Sequence, residues 1–402
     1  DELDARHLRQ APRDEARVVR MHVDAGEPVH VDAGELRPAA TPNDPAYGMF
    51  QWNFAGLVMP RAWDINPGGS GDIVVGIVDT GVTTVNQTLT FPTWTGSSIQ
   101  MVPMPFAISP GMQASRLTRP RNIVSPQQPV LDLDGHGTHV ASTVAETTND
   151  QQNAAGMAYN VMIMPVKVCS GWWDQQIDRT SDGITGRPPG NAETTCSIVE
   201  VADGIEYAAQ QGAKVINISL GTSSASNRLR EALSFAVQRG AFVAISMGND
   251  FEDANEISYP AKYAELFQGA MSVAAVGRSM TTRAAYSSTG SHCEIAAPGG
   301  DASLDIDTFV VQTTLREPNH NSNAPAFNSY TLTGIVGTSM ASPHVAGLAA
   351  LIMSQRPGIT PAQVESIIRA TAKDLGTPGK DDEFGYGLIQ PRAALFGFGI
   401  RR

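Results

Sequence analysis

Three short strings carry the residues with the clearest chemical potential: Gly76-Ile77-Val78-Asp79-Thr80-Gly81, Asp134-Gly135-His136-Gly137-Thr138-His139 and Gly337-Thr338-Ser339-Met340-Ala341-Ser342-Pro343-His344. Each sets a reactive side chain in a glycine-bearing turn. A serine hydroxyl is a weak nucleophile near neutral pH, so an imidazole must take its proton as the oxygen attacks a carbonyl, and a buried carboxylate must orient that imidazole. An acid, a base and a nucleophile in separate turns point to acyl transfer on a peptide carbonyl.

Each residue also has an ordinary structural reading. Asp79 follows a wholly apolar run, where a carboxylate needs donors or a cation, but an aspartate before Gly81 is also a common turn pattern. His136 and His139 are three apart at the start of a helix, on neighbouring faces, and cannot both reach one serine easily. Ser339 precedes the apolar stretch Ala341 to Met353. That places it at a helix N-terminus, where unpaired N–H groups favour negative charge and where a serine alone reads as an N-cap.

The chain order Asp, His, Ser, together with HGTHV and GTSMASPHVAG, strongly resembles the subtilisin-like (subtilase) family of serine endopeptidases, over roughly Asn43 to Ala394. The resemblance selects His136 as the base; His139, His292 and His344 keep the reading of an isolated histidine, a satisfied structural residue. Met247-Gly248-Asn249-Asp250 aligns with the family's Ala-Gly-Asn segment, whose asparagine amide binds the oxyanion, and removing one such donor typically costs about 100 to 1,000-fold in rate. Ser219-Leu220-Gly221 resembles the segment whose main chain pairs with an extended substrate. By the same resemblance Ser258, before Tyr259-Pro260-Ala261, is expected at the base of the first specificity pocket, where the family often has glycine and serine would make the pocket slightly shallower. The resemblance would set Asp134 and Asp250 at the borders of the second and first subsites, where they would attract basic side chains; they read equally well as solvated surface carboxylates.

The resemblance also implies structural calcium in oxygen-rich loops, with no cofactor for catalysis. Where a strong family site takes an Asp nine residues after the acid, this chain has Thr88 before Leu89, and the companion loop Asn149 to Asn153 still offers oxygens but is rearranged; calcium is left to sites elsewhere, with no ligands assigned. The family is made with a chaperone-like propeptide. Residues 1–40, charged and carrying the duplication His22–Val29 and His30–Arg37, are read as a propeptide remnant or an N-terminal extension, and residues 41–402 as the catalytic domain.

The elements that must position these residues follow from hydrophobic pattern. Ile73 to Val78, Met162 to Val168, Val215 to Leu220, Phe242 to Ser246 and Met271 to Val276 read as buried strands; Val199 to Gln210, Asn227 to Arg239 and Pro361 to Ala372 have helical spacing. Strands interleaved with helices predict an α/β fold, a doubly wound, mainly parallel sheet flanked by helices. Such sheets bind ligands beyond the carboxyl ends of their strands, where Asp79 and Asn249 fall.

Composition is compatible with this chemistry. The 402 residues, 42% hydrophobic, suffice for a large core. A net charge of −12 without a Lys/Arg-rich block gives no support to a nucleic-acid partner. The longest apolar stretch, Val345 to Met353, is too short to span a membrane. Polypeptides, and the chain's own propeptide, are the expected partners. Cys169 and Cys196 bracket the polar insertion Ser170 to Thr195; a disulfide there implies an oxidising, secreted setting, and two buried thiols are the alternative. Cys293 is left as a small buried residue. Besides a broad endopeptidase, two readings stay open: a non-catalytic binding protein of the same fold, and a selective processing peptidase whose cleft is narrowed by Ser170 to Thr195 and Ser303 to Tyr330.

Overall fold

The computed structural model describes residues 7–9, 19–20, 41–301 and 305–396. Apart from the short strands His7–Arg9 and Val19–Arg20, the N-terminal stretch lies outside the described residues.

Seven strands form the central sheet: β1 (Val74–Asp79), β2 (Arg121–Asn122), β3 (Met162–Lys167), β4 (Val215–Ile218), β5 (Phe242–Ser246), β6 (Ala270–Val276) and β7 (Ile295–Pro298). Their order is β7-β6-β5-β4-β1-β3-β2 and every pairing is parallel. From β1 the chain builds β2 and β3 on one side and then crosses to β4 on the other. The switch point therefore lies between β1 and β4, where such sheets leave a crevice for ligands.

Both faces are covered, which explains why the strands read as continuous apolar runs. On one face Val75 and Ile77 of β1 meet α1 (His136–Ala145) and α5 (Thr338–Gln355). On the other, Val74 and Val78 meet α3 (Ile198–Gln210) and α4 (Asn227–Gln238). Gly76 faces α3, where a Cβ would come to 3.0 Å from Ala208 Cβ. Helix α5 is buried from Thr338 to Met353, as expected for a helix that is apolar all round.

The insertion expected as polar loop instead contains α2 (Trp172–Ser181), whose Trp172 and Trp173 are buried. They belong to a separate small core that also takes Phe91 and Phe106 from the hairpin Gln87–Trp94 and Ile99–Phe106. Cys169 and Cys196 form a disulfide at the base of this insertion, and Cys293 is free and buried.

Candidate active site

Asp79, the last residue of β1, is fully buried. Its Oδ1 accepts the Thr80 N–H at 2.7 Å and lies 2.7 Å from His136 Nδ1. The two turns approach this closely because of their glycines: a Cβ on Gly137 would sit 2.3 Å from the Gly81 carbonyl oxygen, and Gly81 itself has φ +114°. Thr80 joins them. Its hydroxyl donates to Asp132 Oδ1 (3.1 Å) and accepts the Gly137 N–H (2.8 Å).

Asp132 is also fully buried, between Leu131 and Leu133. Besides Thr80 it accepts from the N–H groups of Asp134 (3.1 Å), Gly135 (2.8 Å) and Thr138 (3.0 Å) and from the Thr138 hydroxyl (2.5 Å). Burial and the neighbouring Asp134 raise its pKa; the bonds from Thr138 and Gly135 and the charge of Lys167 act in the opposite direction. Lys167, buried at the end of β3, donates to the Thr80 carbonyl (2.6 Å) and to Asp174 (3.1 Å) in α2. Burial pushes the Asp174 carboxyl up to about 6, against the pull of Lys167. Asp132 and Lys167 escaped the sequence reading, although Lys167 is a lone charge in an apolar run and Asp132 stands between two leucines, which is the signal for a buried partner.

His136 opens α1, with its side chain 13% exposed. Burial opposes its charged form, but Asp79, by charge and hydrogen bond, together with Asp134 and Asp132, raises its pKa above the ordinary 6.5. His139 faces the carbonyls of Val310 and Thr333, and burial lowers it to about 3. His344 contacts the Met340 carbonyl and Asn53, and burial lowers it to about 4; His292, buried as well, is also lowered to about 4. These three hold a neutral proton inventory at ordinary pH.

Ser339 is the second residue of α5. Pro343, four residues on, has no N–H, so the Ser339 carbonyl lacks its helical donor. Ser219 fills that role: its hydroxyl donates to the Ser339 carbonyl at 2.8 Å, and the Ser339 hydroxyl donates back to the Ser219 carbonyl at 3.1 Å. Asn217 supports the pair, donating to Ser219 Oγ (2.9 Å) and accepting from Ser342 Oγ (2.8 Å). Since β1, β4 and β5 are adjacent and parallel, Asp79, Ser219 and Asn249 emerge side by side at one edge of the sheet, and the Ser219 contact holds Ser339 there.

Asn249 Oδ1 accepts both the N–H and the hydroxyl of Thr338, each at 2.9 Å, while Gly248 N–H donates to that same hydroxyl. This fixes the amide orientation and leaves Nδ2 as the group offered toward the turn before Ser339. The side chains of Ser219 and Leu220 are buried. Ser258 is buried against Gly221, where a Cβ would come to 2.3 Å from Ser258 Oγ. Asp134 accepts the His136 N–H (3.1 Å) and the Thr194 hydroxyl (2.6 Å), and Asp250 N–H donates to Ser288 Oγ (3.0 Å). Asp134 is thus engaged by the insertion.

The altered loop at Asn149 to Asn153 does not suit calcium. Three of its N–H groups turn inward, Asn149 and Asp150 donating to the Asp44 carboxylate (2.9 and 3.2 Å) and Gln151 to Asn43 Oδ1 (3.1 Å), and the Asn153 carbonyl is taken by the Ala46 N–H (2.9 Å). A cation needs those oxygens free. Among the described residues no group of three or more His, Cys, Asp or Glu is placed to hold a metal ion, and no helix is long and apolar enough to cross a membrane.

Comparison with known proteins agrees with this geometry. The profile of the Subtilase family matches residues 70–387. Subtilisin DY from Bacillus licheniformis is 36% identical over 279 residues, covering 68% of this chain and 82% of that protein. An "Extracellular protease" from Xanthomonas campestris is 31% identical over 377 residues, 90% of this chain and 57% of that one. A solved protease structure from Pseudoalteromonas arctica superposes with a TM-score of 0.64 at 28% identity, covering 89% of this chain and 99% of that one.

Proposed function

The chain belongs to the subtilase family of serine peptidases, and from that premise we propose that it is a secreted endopeptidase acting through Ser339, His136 and Asp79. The Ser339 hydroxyl leaves the Ser219 carbonyl and turns its proton to His136 Nε2 as Oγ bonds to the scissile carbonyl carbon. Asp79 holds the imidazole by Nδ1–H and stabilises the imidazolium that forms. The tetrahedral oxyanion accepts from Asn249 Nδ2 and from the Ser339 N–H at the start of α5, both fixed before substrate arrives. On collapse the C–N bond breaks and His136 returns the proton to the departing amine. A water molecule, deprotonated by His136, then releases the acyl group and restores the serine. No cofactor enters these steps.

The observation that supports this reading most is the 2.7 Å contact of His136 Nδ1 with a fully buried Asp79 beside the switch point of the sheet. Substrates are polypeptides in extended form, aligned along Ser219, Leu220 and Gly221. Ser258 shortens the first pocket, and Asp250 and Asp134 give at most a mild basic preference. The disulfide and the name of the Xanthomonas relative favour an oxidising, extracellular setting. Residues 41–402 act as the catalytic domain, with residues 1–40 as a propeptide remnant or extension.

A fluorophosphonate probe followed by peptide mapping tests the assignment: modification at Ser339 is expected, with casein hydrolysis falling by at least about four orders of magnitude in a folded Ser339→Ala variant. Labelling elsewhere, or retained hydrolysis, removes Ser339 from the nucleophile's role.

A further inference from the structure

Two insertions meet beside His136. The first, Ser170 to Thr195, leaves the carboxyl end of β3 and is closed at its base by Cys169–Cys196. The second, residues 316–329, follows the strand Val310–Leu315. Both are rooted on the dipeptide Asp134–Gly135. A Cβ on Gly171 would lie 3.0 Å from the Asp134 carboxylate, and Thr194 donates to that carboxylate. From the other side, the Thr314 hydroxyl bonds the Gly135 carbonyl.

Away from this root the insertions are tied to each other. Arg187 of the first bonds the His320 carbonyl of the second and donates to the carbonyls of Ser322 and Asn321 (3.4 Å each) and to Asn323 Oδ1 (2.7 Å). The His320 ring stacks on Trp172, centroids 4.1 Å apart and planes within 2°, while Trp173 Nε1 donates to the Pro318 carbonyl (3.1 Å). Underneath lies the small separate core, in which Trp172, Trp173 and Phe327 pack with Phe91, Phe106 and Leu131. Leu131 begins the segment that ends in His136. A concavity of about 500 Å³ remains between the two insertions.

Insertions with a covalent base, their own core and a cross-tie do not yield as two independent loops would. We propose that they form one rigid wall beside His136 that selects substrates by shape: extended, unfolded segments enter, and folded protein surfaces are turned away. The inference rests on the serine-peptidase reading of the site. A short peptide fits an open groove whatever the height of its rim. A loop on a native protein brings its neighbouring surface with it, and that surface meets the wall. Arg187 and His320 determine the specificity because they hold the rim closed, whereas the buried tryptophans hold the fold.

Arg187→Ala, His320→Ala and the double variant of the full chain test the wall. Each is assayed for kcat/KM on a short chromogenic peptide amide, on a reduced and unfolded protein, and on the same protein in native form. The double variant should raise the native-to-unfolded ratio by about tenfold or more, with peptide kcat/KM within about twofold of wild type. An unchanged ratio overturns the proposal, as does a parallel fall on all three substrates, which would mark the clasp as general support for the site. If the Arg187 variants do not fold, the same ratio measured on His320→Ala decides. Fluorophosphonate labelling separates the two levels: an unlabelled wild type counts against the Ser339 reading, and a labelled enzyme with a flat ratio counts against the wall alone.

Discussion

In the proposed mechanism His136 is a base only when neutral, so kcat/KM is expected to rise with pH through its pKa. Asp79, Asp134 and Asp132 face it and favour the cation, while burial opposes it; the balance raises its pKa above 6.5. The acid limb of the kcat/KM profile is therefore expected above pH 6.5. Asp134→Asn removes one of the three charges but retains an acceptor for the His136 N–H, and should move that limb to lower pH with the plateau little changed. A pH profile that stays in place would mean that a group other than His136 titrates. Ser219 shows the same economy of contact: Pro343 removes one donor from α5, and a hydroxyl from a neighbouring strand end takes its place.

At the scale of elements, α1 is fixed at both ends by carboxylates. Asp132 gathers its N-terminal amides, and Glu146, just past Ala145, accepts the Thr313 N–H and bonds the Thr313 hydroxyl. Burial pushes the Glu146 carboxyl up to about 8, against the hydrogen bonds from Thr313 and Ala154, while Asp44 adds to the rise. The folded state thus keeps a proton that the unfolded chain releases near the ordinary 4.5. The contribution is present below about pH 4.5 and is lost as pH rises toward 8. Glu146→Gln mimics the protonated form: its amide can donate to the Thr313 hydroxyl and its oxygen can accept the Thr313 N–H. Urea midpoints should match wild type near pH 4 and exceed it at pH 8.5, by on the order of a few kcal/mol in unfolding free energy. Equal midpoints at both values would place the Glu146 pKa in the normal range.

At the scale of the whole molecule, two cores on the faces of the sheet carry the fold and a third supports the insertions. Cys169 and Cys196, 27 residues apart, tie that third core to β3. In the chain-entropy account such a closure is worth about 3 kcal/mol. Replacing both cysteines by serine should lower the denaturant midpoint accordingly, and reduction of wild type should reproduce the effect. No difference between reduced and oxidised protein would show that the third core holds the insertion unaided.

The motifs, the buried strands and the α/β architecture were legible in the sequence because each depends on local order: apolar runs of strand length, helical spacing, and glycines where turns must approach. The strand reading over Met162 to Val168 and the helix reading over Asn227 to Arg239 differ from the observed elements by one residue at their ends. Partnership was not legible. Ser170 to Thr195 reads as polar loop, yet Trp172 and Trp173 find an interior because Phe91, Leu131 and Phe327 arrive from distant parts of the chain. Lys167 is a single charge in an apolar segment and Asp132 is flanked by two leucines, and only the meeting of β1, β3 and the start of α1 turns them into the frame around Thr80. The loop Asn149 to Asn153 shows the limit from the other direction: its oxygens are legible in the sequence, but the inward N–H groups of Asn149, Asp150 and Gln151 are a matter of backbone direction. Residue type and order determined which chemistry the chain could support, since they fix the reactive groups and the period of burial. Tertiary structure alone decided which buried charges are paired and what stands beside the cleft, since those contacts join segments that no local pattern relates.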